Sequence, residues 1–226
     1  MSFIVAMDGP AGTGKGTITS LISKEMGLVN IDTGATYRCV ALYVIKNNIK
    51  LEEKEKIIES LPNIHIDMKN EQDVQKVYLN NEDVTSEIRS KEVTKIVSQV
   101  SSIVEVRLAM VEVQRNLAKG KDVIMEGRDI TTYVFPNADV KIYLDADEEE
   151  RAKRRYKEMQ EKGIEMTYDE VLKNIQIRDK NDKEKKIGAL KIAEDAIYID
   201  TTNLTIEEVK EKVKEIIMEK YKNKNF

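Results

Sequence analysis

Gly9-Pro10-Ala11-Gly12-Thr13-Gly14-Lys15-Gly16-Thr17 is the stretch on which the reading of this chain turns. Its glycines let the backbone curl, so that several N–H groups can point into one concavity. The stretch follows a short apolar run at residues 3–7 (FIVAM). It opens a segment, residues 15–26, that carries Ile18, Leu21 and Ile22 on one helical face. Strand, Gly-rich turn and helix in that order are the setting a phosphate-binding loop requires. The helix N-terminus adds partial positive charge, Lys15 brings a mobile full charge toward the β and γ phosphates of a nucleotide, and Thr17 offers a hydroxyl. The general pattern has Ser or Thr directly after the Lys; here Gly16 intervenes.

Outward from the loop, residues 29–31 read as a second short strand, 33–47 as a helix and 51–61 as another. Residues 64–68 (IHIDM) and 74–79 (VQKVYL) alternate apolar with polar, as antiparallel strands do, and Asn80-Asn81 supplies a turn. They interrupt the alternation of strand and helix and read as an inserted lobe. Residues 91–101 and 104–118 return to helix. The apolar runs 122–125 (DVIM) and 140–144 (VKIYL) fit core strands of a parallel sheet. A charged helix over 148–160 ends near Gly163, a second helix covers 168–181, a last strand 196–199 and a last amphipathic helix 206–221. The tail 222–226 (KNKNF) is expected to fray. The order predicts an α/β domain with a parallel core.

Composition excludes several chemistries. One Cys (Cys39) and one His (His65) permit neither an intrachain disulfide nor a Cys/His zinc centre. A Ser/His/Asp hydrolase would have to use His65, and nothing nucleophilic is arranged near it. Cys39, among Val40, Ala41 and Leu42, reads as a packed core thiol. The 226 residues include 37 basic and 41 acidic ones, a net charge of −4, and only 5% are aromatic; this disfavours a nucleic-acid binder. Net charge does not disfavour an anionic small ligand, because the local field decides that. No apolar run approaches the ~18 residues of a membrane span, and residues 1–12 lack the basic and apolar regions of a signal peptide. A cytoplasmic monomer, with neither nucleic-acid nor membrane partners, is expected.

Four further stretches carry charge where a ligand could use it. Asp32-Thr33-Gly34-Ala35-Thr36-Tyr37-Arg38 follows the second strand, with Asp32 or Thr33 as helix N-cap and Arg38 about one turn in. An arginine there can clamp a phosphate with two parallel N–H bonds. Glu126-Gly127-Arg128-Asp129 follows the DVIM strand, at the carboxyl end where ligands of parallel sheets sit. Arg178, Asp179 and Asp182 lie near a helix end, before Lys183, Lys185 and Lys186. Glu148 to Arg155 form a dense charged helix that includes Arg151, Arg154 and Arg155. Alone, each of the last two reads as well as a solvated helix face.

Taken together, MDGPAGTGKGT, DTGATYR, NNEDVTSEIR, VSQVSS followed by VR, EGRDI, VFPNADVKIYLDA, EERAKRR, QEKG and IQIRDKND resemble the bacterial cytidylate kinases, within the nucleoside monophosphate kinases, whose phosphate loops share the GKGT variant. The resemblance covers almost the whole chain. It implies a P-loop NTPase-type parallel core sheet wrapped by helices, with a short lid and an inserted acceptor lobe containing a small antiparallel sheet. As one kinase domain, the chain would divide into a core (about 1–32, 86–147 and 187–226), an insertion (about 33–85) and a lid (about 148–186).

What the resemblance implies for residues is specific. Gly9, Pro10, Ala11, Gly12, Thr13, Gly14, Lys15, Gly16 and Thr17 would hold the phosphates of ATP, the phosphoryl donor, with Mg²⁺ bound alongside and no metal site of the protein's own. Ser98, Arg107 and Asp129 would read cytosine; Arg178 and Asp182 would contact ribose; Arg38, Arg128 and Lys185 would clamp the monophosphate of CMP or dCMP, beside Thr33. Lys15, Arg128 and the lid arginines Arg151, Arg154 or Arg155 would carry the transfer. Lys185 stands where the family usually has Arg, which keeps the charge and loses the bidentate fork. Asn181 replaces a common basic residue, and Thr33 keeps the hydroxyl of a frequent Ser. The alternatives are a kinase for UMP, AMP or another small acceptor, and a nucleotide-gated switch without catalysis.

Overall fold

The structure, a computed structural model, describes residues 2–71, 74–161 and 163–224. In chain order its elements are β1 (Ile4–Asp8), α1 (Lys15–Met26), β2 (Val29–Asp32), α2 (Thr33–Lys46), α3 (Lys54–Ser60), β3 (Ile66–Glu71), β4 (Val74–Leu79), β5 (Glu82–Asp83), α4 (Lys91–Val100), α5 (Val104–Ala118), β6 (Val123–Gly127), β7 (Val140–Asp145), α6 (Glu148–Glu161), α7 (Tyr168–Glu184), β8 (Ile197–Asp200) and α8 (Ile206–Lys224). Short 3₁₀ turns at Leu61–Asn63 and Glu87–Arg89, and a π turn at Ile130–Val134, join some of them.

The core is a five-stranded parallel sheet in the order β2-β6-β1-β7-β8. Its central strands are mostly apolar because both faces are covered, with Asp8, Glu126 and Asp145 toward their carboxyl ends. Successive residues serve opposite faces. Ala6, Val123 and Met125 pack with α2, α4 and α5, while Val5, Met7 and Ile124 pack with α1 and α8. On the second face Ile18 and Ile22 of α1 meet Val209, Val213 and Ile217 of α8, all at helical spacing. The strand-and-helix alternation read from the sequence is therefore a doubly covered parallel sheet.

The inserted segment forms a separate three-stranded antiparallel sheet, β3-β4-β5. Asn80 and Asn81 take positive φ of 50° and 71°, the two-residue turn their side chains tolerate. The Asn80 side chain also accepts from His65 N–H at 2.8 Å. His65 itself is exposed and Cys39 is fully buried.

Several boundaries differ from the sequence reading. The helix expected over 51–61 covers only Lys54–Ser60, because Pro62 cannot continue it and the chain tightens into a 3₁₀ turn. α7 runs three residues beyond the expected end, to Glu184. The tail expected to fray is helical through Lys224; Asn225 and Phe226 lie outside the described residues. The π turn after β6 had no sequence signal. Among the described residues, no helix is long and apolar enough to cross a membrane.

Ile142, in β7, is fully buried in the face shared with α8. Ile142→Ala should cost about 2–5 kcal/mol of unfolding free energy. Ile206→Ala, at a position 57% exposed, should stay within about 0.5 kcal/mol. Urea titrations of the two variants measure both.

Candidate active site

The stretches Gly9–Thr17, Thr33–Arg38 and Arg128–Asp129 follow the carboxyl ends of the parallel strands β1, β2 and β6. The loop between β1 and α1 shows why its glycines are needed. Gly9 has φ 150°, and a Cβ there would overlap the Leu144 carbonyl of β7. At Gly16, a Cβ would lie 2.6 Å from Glu126 Oε1. The Gly between Lys15 and Thr17 thus leaves room for a carboxylate at the end of β6. Lys15 is 4% exposed; its ammonium donates to Pro10 O at 2.7 Å and to Thr13 Oγ1 at 3.2 Å. Burial, with Arg128 adding, pushes Lys15 down to about 7, against the pull of Glu126. Burial pushes Glu126 up, with Asp32 adding and Lys15 opposing.

Asp32 is the N-cap of α2, accepting from Ala35 N–H at 3.2 Å. Thr33, buried, donates its hydroxyl to Glu126 O at 2.6 Å and so ties the start of α2 to β6. Arg38 reaches across to Ile88 O at 3.1 Å and Thr94 Oγ1 at 3.0 Å. Burial pushes the Arg38 guanidinium down.

A second group is organised by Asp182. This buried carboxylate accepts from Arg128 Nε and from Lys185 Nζ, each at 2.8 Å, and Arg178 Nε lies 4.0 Å away. Burial alone would raise the Asp182 carboxyl; Arg128 and Lys185 reverse this and hold it well below the usual carboxylate range. Arg178 is pushed down to about 10, first by burial and then by the charge of Arg128, with Arg38 and Arg155 adding. Arg38, Arg128, Arg155 and Arg178 therefore share one field. In a chain of net charge −4, that is a local concentration of positive charge.

Beneath it, Arg107 and Asp129 form a buried ion pair, 3% and 5% exposed at the side chains. Arg107 also reaches Ser101 O and Gly188 O, each at 3.4 Å, and its guanidinium lies 5.3 Å from the Tyr37 ring centroid. Among the described residues, Ser98 Oγ and Arg107 Nε are buried with no hydrogen-bond partner, while the Tyr37 hydroxyl and the Gln114 side chain act on each other. A buried polar group left unpaired costs free energy until it is satisfied. Tyr37 thus packs in the core and faces this group as well.

The lid arginines divide. Arg151 is 6% exposed and donates to Ala146 O and Ala11 O, both at 2.9 Å, and to Asp179 Oδ2 at 2.5 Å. Asp179 Oδ1 in turn accepts from Ala11 N–H at 3.3 Å. Both polar groups of the Ala11 peptide are thereby held from α6 and α7. Arg154 donates to Thr201 O at 2.7 Å and Thr202 O at 3.2 Å, in the turn after β8. Arg155 pairs with Glu158 at 2.7 Å and is the lid arginine whose charge reaches Arg38 and Arg178.

Sequence reasoning missed three features. Arg89, half exposed and 3.4 Å from Asp32, adds its charge to the surroundings of Arg38 and Glu126. Asp179 holds the phosphate loop. Asp8, directly before Gly9, is fully buried and accepts hydrogen bonds from residues 130 and 131. The signal for Asp8 was present: a carboxylate closing an otherwise apolar strand needs donors.

Comparison with known proteins identifies the family. The cytidylate kinase family model matches residues 5–219. The chain is 52% identical over 212 residues, 94% of each chain, to a cytidylate kinase of Caldicellulosiruptor saccharolyticus. It is 51% identical over 208 residues, covering 92% of this chain and 94% of the relative, to one of Fusobacterium nucleatum. Among solved structures, a gluconokinase from Sinorhizobium meliloti superposes with a TM-score of 0.51 at 11% identity, over 100% of this chain and 96% of that one, a likeness of fold. Matched by the family model over residues 5–219 and by relatives along nearly their full length, the chain belongs to the cytidylate kinase family.

Proposed function

We propose that the chain transfers the γ-phosphoryl group of ATP to CMP or dCMP, giving CDP or dCDP and ADP. Family membership over residues 5–219 supports this, and disfavours both an acceptor of another base class and a non-catalytic switch. One observation carries the division of labour. Burial comes first in lowering Lys15, with Arg128 and Arg178 adding; burial also comes first in lowering Arg178, with Arg128, Arg38 and Arg155 adding. Two polyanions placed side by side would offset both the burial and the repulsion.

In this reading Gly9 to Thr17 cradle the ATP phosphates. Arg38, Arg128 and Lys185 hold the acceptor phosphate, with Thr33 fixing the start of α2. Arg178 and Asp182 meet the ribose. Asp129 accepts from the exocyclic amino group of cytosine, Ser98 shares that edge, and Arg107 donates to N3 and O2. Uracil reverses the pattern at position 4 and N3, leaving mispaired buried groups that cost about 1–3 kcal/mol each. Arg155 faces the transferring group, while Arg151 and Arg154 hold the lid to the loop and to the β8 turn. The acceptor phosphate is already ionised at neutral pH, so no protein nucleophile or strong base is required; positioning and charge neutralisation do the chemistry.

Mg²⁺ fits the mouth of the loop, where Thr17 carries an exposed hydroxyl and Glu126 a carboxylate with no hydrogen-bond partner among the described residues. Bound with ATP, it would offset phosphate charge. The insertion (about 33–85) and the lid (about 148–186) would close over a core that keeps the parallel sheet, excluding water. We further propose a cytoplasmic monomer acting on small nucleotides rather than on nucleic acid or membranes.

The function is tested by coupled measurement of ADP release with ATP and each of CMP, dCMP, UMP and AMP. CMP and dCMP should support turnover; a preference for UMP or AMP would refute the reading. Lys15→Met should fold and lose on the order of a hundredfold or more in kcat, because its charge sits where phosphate charge develops. Asp129→Ala should raise KM for CMP roughly tenfold or more and change KM for ATP far less; equal losses would remove Asp129 from base reading. Lys15 lies lowered in the free protein, so an arriving triphosphate should restore its proton. Calorimetry near pH 8, in buffers of differing ionisation enthalpy, should show proton uptake on ATP binding, largely absent in Lys15→Met.

A further inference from the structure

We propose that Asp8 is a positioning residue that holds the acceptor-binding turn in register with the phosphate loop. Asp8 closes β1, and Gly9 follows it directly. Its carboxylate is fully buried and faces the chain just beyond β6. Oδ1 accepts from Ile130 N–H at 2.9 Å; Oδ2 accepts from Thr131 N–H at 2.7 Å and from the Thr131 hydroxyl at 2.6 Å. Those two amides come immediately after Arg128 and Asp129. They open the π turn, whose next amides, Tyr133 and Val134, return to Asp129 O at 2.9 and 3.1 Å. Asp129 is therefore fixed by the turn, the turn by Asp8, and Asp8 by the strand that launches the phosphate loop.

The sheet does not need this carboxylate. β1 and β6 are already paired through Asp8 and Gly127, and there the ladder ends. Beyond Gly127 the chain leaves the sheet, and a buried carboxylate with three bonds carries the register two to three residues further. Burial, with the charge of Asp129 adding, pushes Asp8 up to about 6 against the bonds from Thr131 and Ile130, which favour the charged form. An apolar residue would fill the same space without that cost. What it would not do is fix the distance between a donor loop and an acceptor turn, and in-line transfer depends on that distance to within about 1 Å.

Asp8 also acts by charge on Lys15 and Tyr143, and this gives a competing route. A charge effect on Lys15 would alter the handling of ATP; a positional effect on Arg128 and Asp129 would alter the handling of CMP. The proposal rests on the assignment of Arg128 and Asp129 to the acceptor, and the experiment separates the two claims.

Steady-state kinetics would be measured for the full chain and for Asp8→Asn, Thr131→Val, Asp129→Ala and the Asp8→Asn/Asp129→Ala double variant. Asp8→Asn keeps the shape but sets an amide donor against backbone donors. It should raise KM for CMP roughly tenfold, the size of one lost bond to a charged group. It should also narrow the preference for CMP over UMP and move KM for ATP less than about twofold. Thr131→Val, which keeps the charge, should act in the same direction by a smaller factor. In the double variant the two costs should not add, since Asp8 works through Asp129. Equal shifts for ATP and CMP, a lowered melting temperature with unchanged kinetics, or additive costs would each overturn the proposal. An Asp129→Ala variant with unchanged KM for CMP would overturn the acceptor assignment and the proposal with it. If Asp8→Asn does not fold, Thr131→Val decides by the same comparison of CMP against ATP.

Discussion

Like charges have to be assembled before the ligands that justify them arrive. That constraint shapes the upper half of this molecule. Arg128 and Lys185 are held by Asp182, Arg107 by Asp129, Arg151 by Asp179 and Arg89 by Asp32. In most of these pairs the partners come from different elements, so each bond both restrains a cation and ties two parts of the fold together. Asp182 spans from α7 to the end of β6, and Asp179 from α7 to the phosphate loop. Lys15 and Arg178 are lowered first by burial and then by the charge of Arg128, so each would be favoured by a nearby anion.

The core was legible because its signals are local. An apolar run, a glycine-rich turn and an amphipathic helix were all visible around Lys15, and α1 and α5 occupy the residues read for them. The parallel sheet followed from short, mainly apolar runs such as DVIM and VKIYL, which fit strands covered on both faces. The inserted sheet followed from period-two alternation and from Asn80-Asn81. Legibility failed where a residue's role depends on something distant in the chain. The sequence groups Arg151 with Arg154 and Arg155 on one charged helix and does not distinguish them, yet the Arg151 guanidinium is buried against Ala11, 140 positions away. Asp8 is spoken for by residues 122 and 123 positions on. No periodicity encodes such pairings; only the topology that lays β6 beside β1 creates them. The π turn is hidden for the same reason, since its shape comes from Asp8 and not from Ile130 to Val134.

α6 and α7 have an interior of their own. Ala152 of α6 packs with Val171 and Ile175 of α7, flanked by Tyr156 and Tyr168, whose rings meet edge to face at 6.1 Å. Parting the two helices would expose that apolar seam to water, which couples the position of one to the other. α6 carries Arg155, while α7 carries Arg178 and Asp182. In the proposed reading, a nucleotide engaging one helix would bias the residues offered to its companion, and linkage would make the two biases equal.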